Sequence, residues 1–600
     1  MRKQHSDQKG RKQMKEKINW KKITPKLWEM LVLCASPFFM FLQIEFLQEN
    51  RLYNIRDPFY LVNYLWYALI LGICILLVRR VRYGAYLSLT LSYIAGLANH
   101  YVLEFRGTPV LPWDFKSFGT AMEVAGAYDY GFAKSTWIVT FGTAAVFVLF
   151  YFTLSKEKIN FKKKQNLGLL AAFVLFAGGV WYVHSSIGFL GLHHWTVFAW
   201  NQKVQYQCCG VAASFMENLR FMDVEVPEDY DPEELEQLAE KYSGEEEEKT
   251  KAETEKKPDI IVIMNESFAD ISRIKDLGED AEYMPFFDSL TENTIRGNLN
   301  VSAFGGNTCN TEFEFLTSLS MAFVPSGSVP YQQYIDRDLS SLCRVLKAQG
   351  YSATAIHPCK ASNWNRDKVY PFLGFDQFVS ENDFSPEHTS YLRGYMSDKA
   401  DFDQLIEVYE EKKKEGPTFI FNVTMQNHGG YDGGTQMYLD LIRETDRELE
   451  WLFAYLKEQA DPVLVLFFGD HQPNLQDGTY DSINEEEDMS VYRNKYLVPF
   501  ALFANYDIKE RQIEDTSPGF LAPLLLETAG LSMPPYYRLL LDQMKQVPAI
   551  SINGFMDGRK VWRRPQEIGT DEVTALYERL QYNKLFDRKN YVRELFELKE

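Results

Sequence analysis

The sequence predicts two structural classes in one chain: an N-terminal polytopic α-helical membrane domain of five spans, then an extracellular α/β domain with a mainly parallel sheet. Three observations predict this. Five long apolar stretches crowd into the residues before 190. A charged run poor in large apolar side chains follows at 223–257. Beyond it, short β-branched runs alternate with amphipathic helical patterns over nearly 300 residues.

Composition narrows the function classes. The chain has 600 residues and a formal charge of −19, from 63 Lys+Arg against 82 Asp+Glu. That length requires more than one domain, and that charge argues against a nucleic-acid partner. A content of 46% hydrophobic residues is far from the composition of disorder. Seven cysteines are too few, and odd in number, for a disulfide scaffold.

The spans run Met30–Leu47, Phe59–Val78, Ala85–Leu103, Thr136–Leu154 and Leu167–Val183. Each approaches the ~20 residues that carry a helix across the hydrocarbon layer. Basic residues set the orientation. They crowd into the tail (Arg2, Lys3, Lys9, Arg11, Lys12), the turn after the second span (Arg79, Arg80, Arg82) and the turn after the fourth (Lys156, Lys158, Lys162). The tail therefore stays in the cytoplasm, and five crossings place everything after about residue 184 outside. Glu29, Glu45, His100 and Glu104 sit in or near the spans, and interfacial placement is expected for most of them. The loop Thr108–Phe115 is expected against the membrane surface. For His193–His194–Trp195, metal binding and a lipid-interface role both remain open, with the interface preferred.

The expected domains are a cytoplasmic basic tail (1–26), the five-span domain (27–185), a juxtamembrane segment and acidic linker (186–257) with one short helix at Pro232–Tyr242, the α/β domain (258–545) and a C-terminal extension (546–600). Within the α/β domain, Asp259–Met264, Ala353–Ile356, Phe419–Val423 and Val463–Phe468 read as buried parallel strands. Leu339–Gln349 and Tyr438–Gln459 read as helices between them.

Polar residues follow these strands: Glu266 after the first, His357 after the second, His428 beyond the third, and Asp470–His471 after the fourth. Open α/β sheets bind ligands beyond the carboxyl ends of their strands. Glu266, Asp470 and His471 supply two carboxylates and an imidazole, a donor set for Mn, Mg or Zn that leans toward Mn or Mg. The segment Phe304–Met321 (FGGNTCNTEFEFLTSLSM) places Thr308 after two glycines and at the start of a helical pattern. A helix N-terminus favours phosphate, and metal coordination makes a threonine hydroxyl nucleophilic. On its own, Thr308 or Thr311 would read as a helix cap; beside the candidate metal ligands, catalysis is preferred.

Taken together and in order, NESF, GGNTCNTEF, WNRD and GDH after five spans resemble the lipoteichoic acid synthase family. That family is a membrane-anchored branch of the alkaline phosphatase/sulfatase superfamily. The resemblance implies a sulfatase-like fold for the outer domain and a single Mn²⁺ held by Glu266, Thr308, Asp470 and His471. It implies that Thr308 attacks the phosphodiester of phosphatidylglycerol, releases diacylglycerol, and passes glycerol phosphate to a glycolipid or teichoic acid chain. Trp364, Arg366, His357 and His428 match residues that hold the glycerol phosphate. It also implies a Gram-positive type of envelope. Two departures bear on the acceptor: Gln472–Pro473 follows GDH where the best-known synthases carry Tyr-Gly, and Cys309–Asn310 follows Thr308 where they carry Ser-Asp.

Rival readings differ in sequence. A sulfatase would carry its C/S-x-P-x-R motif, whereas Cys309 begins CNTEF. A phosphoethanolamine transferase would use the same threonine and metal chemistry but usually brings disulfides. A decayed, non-catalytic sensor would have lost a ligand or the nucleophile.

Overall fold

The computed structural model describes residues 20–106, 109–117, 134–159, 163–185, 202–219, 224–243, 256–278, 282–325, 328–475, 477–480, 483 and 489–598. Most of the basic tail, His193–His194–Trp195, linker residues 244–255 and the Glu104 side chain lie outside the described residues. The chain divides into two compact units, Met1–Met222 and Asp223–Glu600.

In the first unit, α1 (Trp20–Leu47), α2 (Phe59–Val78), α3 (Val81–Arg106), α4 (Lys134–Thr153) and α5 (Lys163–Ser185) form over the five apolar stretches. Four carry a segment long and apolar enough to cross a membrane: Lys26–Leu47, Phe59–Val78, Lys134–Thr153 and Gly168–Ser185. The helix over the third stretch, α3, is interrupted by Ser88, Ser92, Asn99 and His100. Its two serines are satisfied inside the bundle. The Ser88 hydroxyl donates to Ala85 O (3.0 Å), and Ser92 to Leu89 O (3.1 Å) and the Gln43 side chain, whose Nε2 donates to Thr143 Oγ1 (2.8 Å).

Two short helices, α6 (Gln202–Cys209) and α7 (Val211–Asn218), belong to this unit as well. They account for Glu45, which is fully buried rather than interfacial. Its carboxylate accepts from Asn50 Nδ2 (2.7 Å) and from the backbone N–H of Val211 (2.9 Å). That N–H opens α7 and has no partner within its own helix. Of the loop expected at the membrane surface, Leu111 and Trp113 are buried against Tyr206.

The second unit holds an eight-stranded sheet. In chain order its unit's first ten strands are β1 (Asp259–Asn265), β2 (Thr294–Asn300), β3 (Ser352–His357), β4 (Gln377–Ser380), β5 (Tyr391–Leu392), β6 (Tyr395–Met396), β7 (Thr418–Val423), β8 (Val463–Gly469), β9 (Leu497–Ala504) and β10 (Arg511–Thr516). The sheet order is β10-β2-β9-β8-β1-β7-β3-β4, and β5 and β6 form a separate hairpin. Only β9 runs against the others, pairing antiparallel with β2 and β8. The other pairings are parallel. Strand β1 lies at the centre, and its side chains divide by the two-residue period of a strand. Ile260, Val262 and Met264 enter one apolar core; Ile261 and Ile263 enter the other. Both faces are thus covered, as a mainly parallel sheet requires.

The covering helices include α8 (Pro232–Ser243), α9 (Thr308–Thr317), α10 (Leu342–Lys347), α11 (Arg366–Leu373), α12 (Asp398–Lys412), α13 (Gly434–Lys457), α14 (Pro518–Ala529), α15 (Pro535–Met544) and α16 (Glu572–Leu585). The expected linker helix is α8, and it packs Leu235, Ala239 and Tyr242 into the core. The last helices also reach that core, through Tyr577, Leu580, Leu595 and Phe596.

A clamp ties α16 to the carboxyl end of α9. Lys584 Nζ donates to Thr317 O (2.6 Å), Tyr577 and Tyr536 hydroxyls donate to Ser318 O (3.0 and 2.5 Å), and Gln581 exchanges hydrogen bonds with Ser320 N and O (2.7 and 2.9 Å). These groups lie where a helix leaves carbonyls without internal partners. The lysine also meets the negative end of the helix dipole.

Candidate active site and metal centre

Because β1, β3, β7 and β8 run in parallel, their carboxyl ends share one edge of the sheet. Glu266 leaves the end of β1, and Asp470 and His471 leave the end of β8. Residues Glu266, Asp470 and His471 are all buried, with one ligand atom of each within 4.8 Å of the others. His471 Nε2 lies 3.2 Å from Asp470 Oδ2 and 3.6 Å from Glu266 Oε1.

The backbone fixes these groups. Asp470 Oδ1 accepts from the N–H of Ser267 (2.7 Å) and of His471 (2.8 Å), and His471 Nδ1 faces the carbonyl of Gln472 (3.0 Å). The atoms that converge have no such partner: Asp470 Oδ2 and His471 Nε2 are buried without a hydrogen bond. Buried polar atoms are normally paired. Two acidic oxygens and an imidazole nitrogen turned toward one another fit a divalent cation. Burial, then the neighbouring Glu266 carboxylate, pushes the Asp470 carboxyl up to about 7. A cation between them would reverse that effect.

Thr308 is the first residue of α9. It is delivered by the turn Gly305–Gly306–Asn307, in which every residue has positive φ (64°, 152° and 64°). At Gly305 a Cβ would also lie 2.6 Å from Asn474 Cβ, so the turn has a steric reason for glycine. Thr308 Oγ1 lies 3.3 Å from Glu266 Oε2. Asn307 occupies the cap position of the helix, and Thr311 Oγ1 donates to Asp470 O (2.8 Å), tying α9 to the loop after β8. Neither threonine serves as the helix cap.

The remaining predicted residues differ among themselves. His357 is buried at the end of β3, with Nδ1 2.8 Å from Val423 O. Burial, with the Arg366 charge adding to it, holds the imidazole well below its ordinary pKa, so it is neutral. The neutral tautomer that donates from Nδ1 leaves Nε2 as an acceptor. His428 is exposed, with Nδ1 3.1 Å from the Tyr395 hydroxyl on the β5–β6 hairpin. Trp364 and Asn365 adopt successive left-handed backbone conformations, with φ of 58° and 60°. Such conformations are costly and concentrate at functional sites.

Arg366 is 1% exposed, which excludes a solvated loop arginine. Its Nε donates to Glu312 Oε1 (3.1 Å), one Nη donates to the same carboxylate, and the Tyr370 hydroxyl donates to Oε2 (2.8 Å). Glu312 is the residue that sequence reasoning missed. It lies four residues after Thr308 on α9, one helical turn along the same face. One helix thus carries both the hydroxyl and the anchor of Arg366. The signal was present as a glutamate at that spacing, but Glu314 lies two residues away and has no part in the pair. Its buried carboxylate bonds Ser302 Oγ and Met321 N instead.

All seven cysteines are free. No disulfide framework joins the site.

Residues 258–531 match the family model described as Sulfatase. A putative cyclic beta-1,2-glucan modification protein of Rhizobium meliloti is 30% identical over 372 residues, covering 56% of this chain and 55% of that protein. Lipoteichoic acid synthase 1 of Bacillus subtilis is 24% identical over 292 residues, covering 44% of this chain and 42% of that one. The chain spans about half the length of the curated relatives it matches. Among solved structures, Streptococcus pyogenes phosphoglycerol transferase GacH, in complex with sn-glycerol-1-phosphate, superposes with a TM-score of 0.53 at 22% identity, over 63% of this chain and all of that one. That likeness bears on fold.

Proposed function

We propose the following from the premise that this chain is a lipoteichoic acid synthase-like member of the alkaline phosphatase/sulfatase superfamily. It is a phosphotransferase that moves glycerol phosphate from phosphatidylglycerol to a glycolipid or polyglycerol-phosphate hydroxyl outside the membrane. The observation that carries this is Thr308 at a helix N-terminus, its hydroxyl 3.3 Å from a carboxylate of the buried metal-type cluster.

The steps balance without a nucleotide. The Thr308 oxygen attacks phosphorus, the bond to the diacylglycerol oxygen breaks, and the departing alcohol takes a proton. The acceptor hydroxyl then attacks the same phosphorus, loses its proton, and returns Thr308 to its free form. One diester replaces another, so little driving force is needed. Glu266, Asp470, His471 and Thr308 are the residues that would hold a divalent metal, Mn²⁺ in this reading. Bound there, it supplies positive charge that lowers the hydroxyl pKa and neutralises phosphate. The amide N–H groups opening α9 face anionic oxygens. Arg366, held by Glu312, donates to them. Neutral His357 accepts a hydrogen bond from the glycerol unit, and His428 with Trp364 borders it.

The first test is incubation with labelled phosphatidylglycerol and mass analysis of the Thr308 peptide. A glycerophosphoryl adduct on Thr308 is expected. An unmodified threonine together with full transfer would remove the covalent step.

A second prediction concerns the metal. Chelation abolishes transfer and Mn²⁺ restores it, and Glu266→Ala lowers the metal content of the purified chain. Metal analysis on the same samples checks both, and an unchanged metal content in the variant would exclude Glu266 as a ligand.

The topology reading has its own check. A tag after residue 600 is cut by protease on intact cells, whereas a tag at residue 1 is protected. The reverse pattern would place the site inside.

A saccharide acceptor is the second reading. It is favoured by the similarity to a relative named for glucan modification. A phosphoethanolamine donor keeps the same threonine step with another head group.

A further inference from the structure

A buried polar island lies on the face of the sheet opposite the nucleophile helix. Helix α9 packs Cys309, Phe313 and Leu316 into the first core, whereas α12 packs Phe402 and Leu405 into the second. On that second side β1 and β7 present amides, Asn265 and Asn422, where a strand buried on both faces ordinarily carries hydrocarbon. Asp398 and Asp401 of α12, and Asn427 beyond β7, complete the island. All five side chains are fully buried.

Asp398 and Asp401 stand three residues apart, on one face of α12. Each is bonded through one carboxyl oxygen alone. Asp398 Oδ2 accepts from Thr445 Oγ1 (2.6 Å) and Asn265 Nδ2 (3.3 Å), and Asp401 Oδ1 accepts from Asn422 Nδ2 (2.9 Å). Asn427 Nδ2 donates to Asn265 Oδ1 (3.1 Å) and to Thr445 Oγ1 (2.9 Å). A small set of donors thus ties α12, β1, β7 and α13 together, and every amide N–H group in it is spent.

The oxygens left over carry the argument. Asp398 Oδ1, Asp401 Oδ2, Asn422 Oδ1 and Asn427 Oδ1 are all buried without a hydrogen bond. Two belong to carboxyl groups and two to amides, whose oxygens only accept. Among the described residues no lysine, arginine or histidine pairs with either aspartate; Lys399, which lies between them in sequence, turns to Asp403 and the Trp451 ring. Elsewhere on this face buried aspartates are paired. Asp446 accepts from the N–H of Phe286 and Phe287 (2.8 and 2.9 Å), and Asp259 from Thr418 N (3.0 Å) and the Tyr409 hydroxyl (3.1 Å). Burial pushes both carboxyls of the island up, and at Asp401 the neighbouring Asp398 adds to it. Acceptors buried together with no donor call for a positive charge among them.

We propose that Asp398, Asp401, Asn422 and Asn427 hold a structural Ca²⁺, separate from the cluster of Glu266, Asp470 and His471. An all-oxygen donor set with two carboxylates and no nitrogen or sulfur suits a hard divalent cation. Ca²⁺ takes amide and carboxylate oxygens in irregular arrays, whereas Mg²⁺ demands octahedral geometry and keeps water, which full burial disfavours. The ion fastens α12 to β7 and to the loop beyond it. That placement braces the functional edge from behind, because Asn265 precedes Glu266 and Asn427 precedes His428. The inference invokes no substrate and stands apart from the phosphotransfer reading.

Binding of radiolabelled Ca²⁺ is measured by equilibrium dialysis on the full chain in detergent, with excess Mg²⁺ present to suppress loose surface binding. The unfolding midpoint is followed with and without Ca²⁺ on the same preparations. The parent and Glu266→Ala are each expected to bind one Ca²⁺ and to unfold at higher temperature in its presence. Asp401→Asn keeps the shape of the side chain and removes its charge. It is expected to bind Ca²⁺ about tenfold more weakly or worse, since ligand charge sets affinity at such sites, and to lose the shift in midpoint. Asp398→Asn serves in its place where Asp401→Asn does not fold. No Mg²⁺-resistant Ca²⁺ binding in the parent and Glu266→Ala overturns the proposal. So does Ca²⁺ binding in the aspartate variant within twofold of the parent, or loss of Ca²⁺ in Glu266→Ala. Labelling of the Thr308 peptide reports separately on transfer, so either reading can fail without the other.

Discussion

Thr308→Ala is expected, on the proposed mechanism, to lower transfer by about 10⁴-fold or more while the chain folds and inserts normally. The magnitude follows from losing a nucleophile, for which the remaining groups offer no substitute path of comparable rate. Structural cost is small for a local reason. The helix cap is Asn307, and the threonine hydroxyl faces the carboxylates of Glu266 and Asp470 rather than any backbone group that folding needs. Its unfolding midpoint stays near that of the parent, within about 1 kcal/mol. Thr308→Ser keeps the attacking oxygen and retains measurable transfer. The check is release of diacylglycerol from labelled phosphatidylglycerol beside denaturation of the same preparations. Full activity in the alanine variant would exclude Thr308 from the chemistry.

Glu312→Ala is expected to destabilise the chain by about 3–5 kcal/mol, the cost of leaving a buried charge without its partner. Arg366 is 1% exposed and Glu312 is fully buried, so water cannot replace the lost carboxylate. Tyr370 loses the acceptor of its hydroxyl as well. Replacing both charges, as in Glu312→Leu with Arg366→Met, is expected to cost less than the sum of the two single changes, since neither charge is then stranded. Urea denaturation of all four proteins closes this cycle. Additive costs would mean the pair is not coupled. Transfer falls in every variant of the series, because Arg366 is then absent or misplaced.

Much of the fold was legible because buried parallel strands are short apolar runs. The four runs read from sequence coincide with β1, β3, β7 and β8 to within two residues at either end. The strands on either side were less legible. Strand β2 (TIRGNLN) alternates polar with apolar residues and carries an internal glycine. At Gly297 a Cβ would lie 1.9 Å from Ile513 O, so the close approach of β10 requires glycine there, a contact no linear pattern reveals. Strand β9 contains Pro499, which argues against an interior strand by itself. The metal-type cluster was legible because its members are adjacent to strand ends. The Glu312–Arg366 pair was not. Its members are 54 residues apart, and the mixed sequence TCNTEFEFLT does not announce that the glutamate's helix is buried along its whole length.

The C-terminal stretch also escaped sequence reading, since no apolar run announces that Tyr577 and Leu580 are core residues. Its clamp has a consequence for how the protein comes into being. The helix that presents Thr308 is finished at its far end by Tyr577, Gln581 and Lys584. Those residues follow the ones they bond by 259 to 267 positions. A nascent chain therefore leaves the far end of the Thr308 helix unsecured until that later stretch has been made.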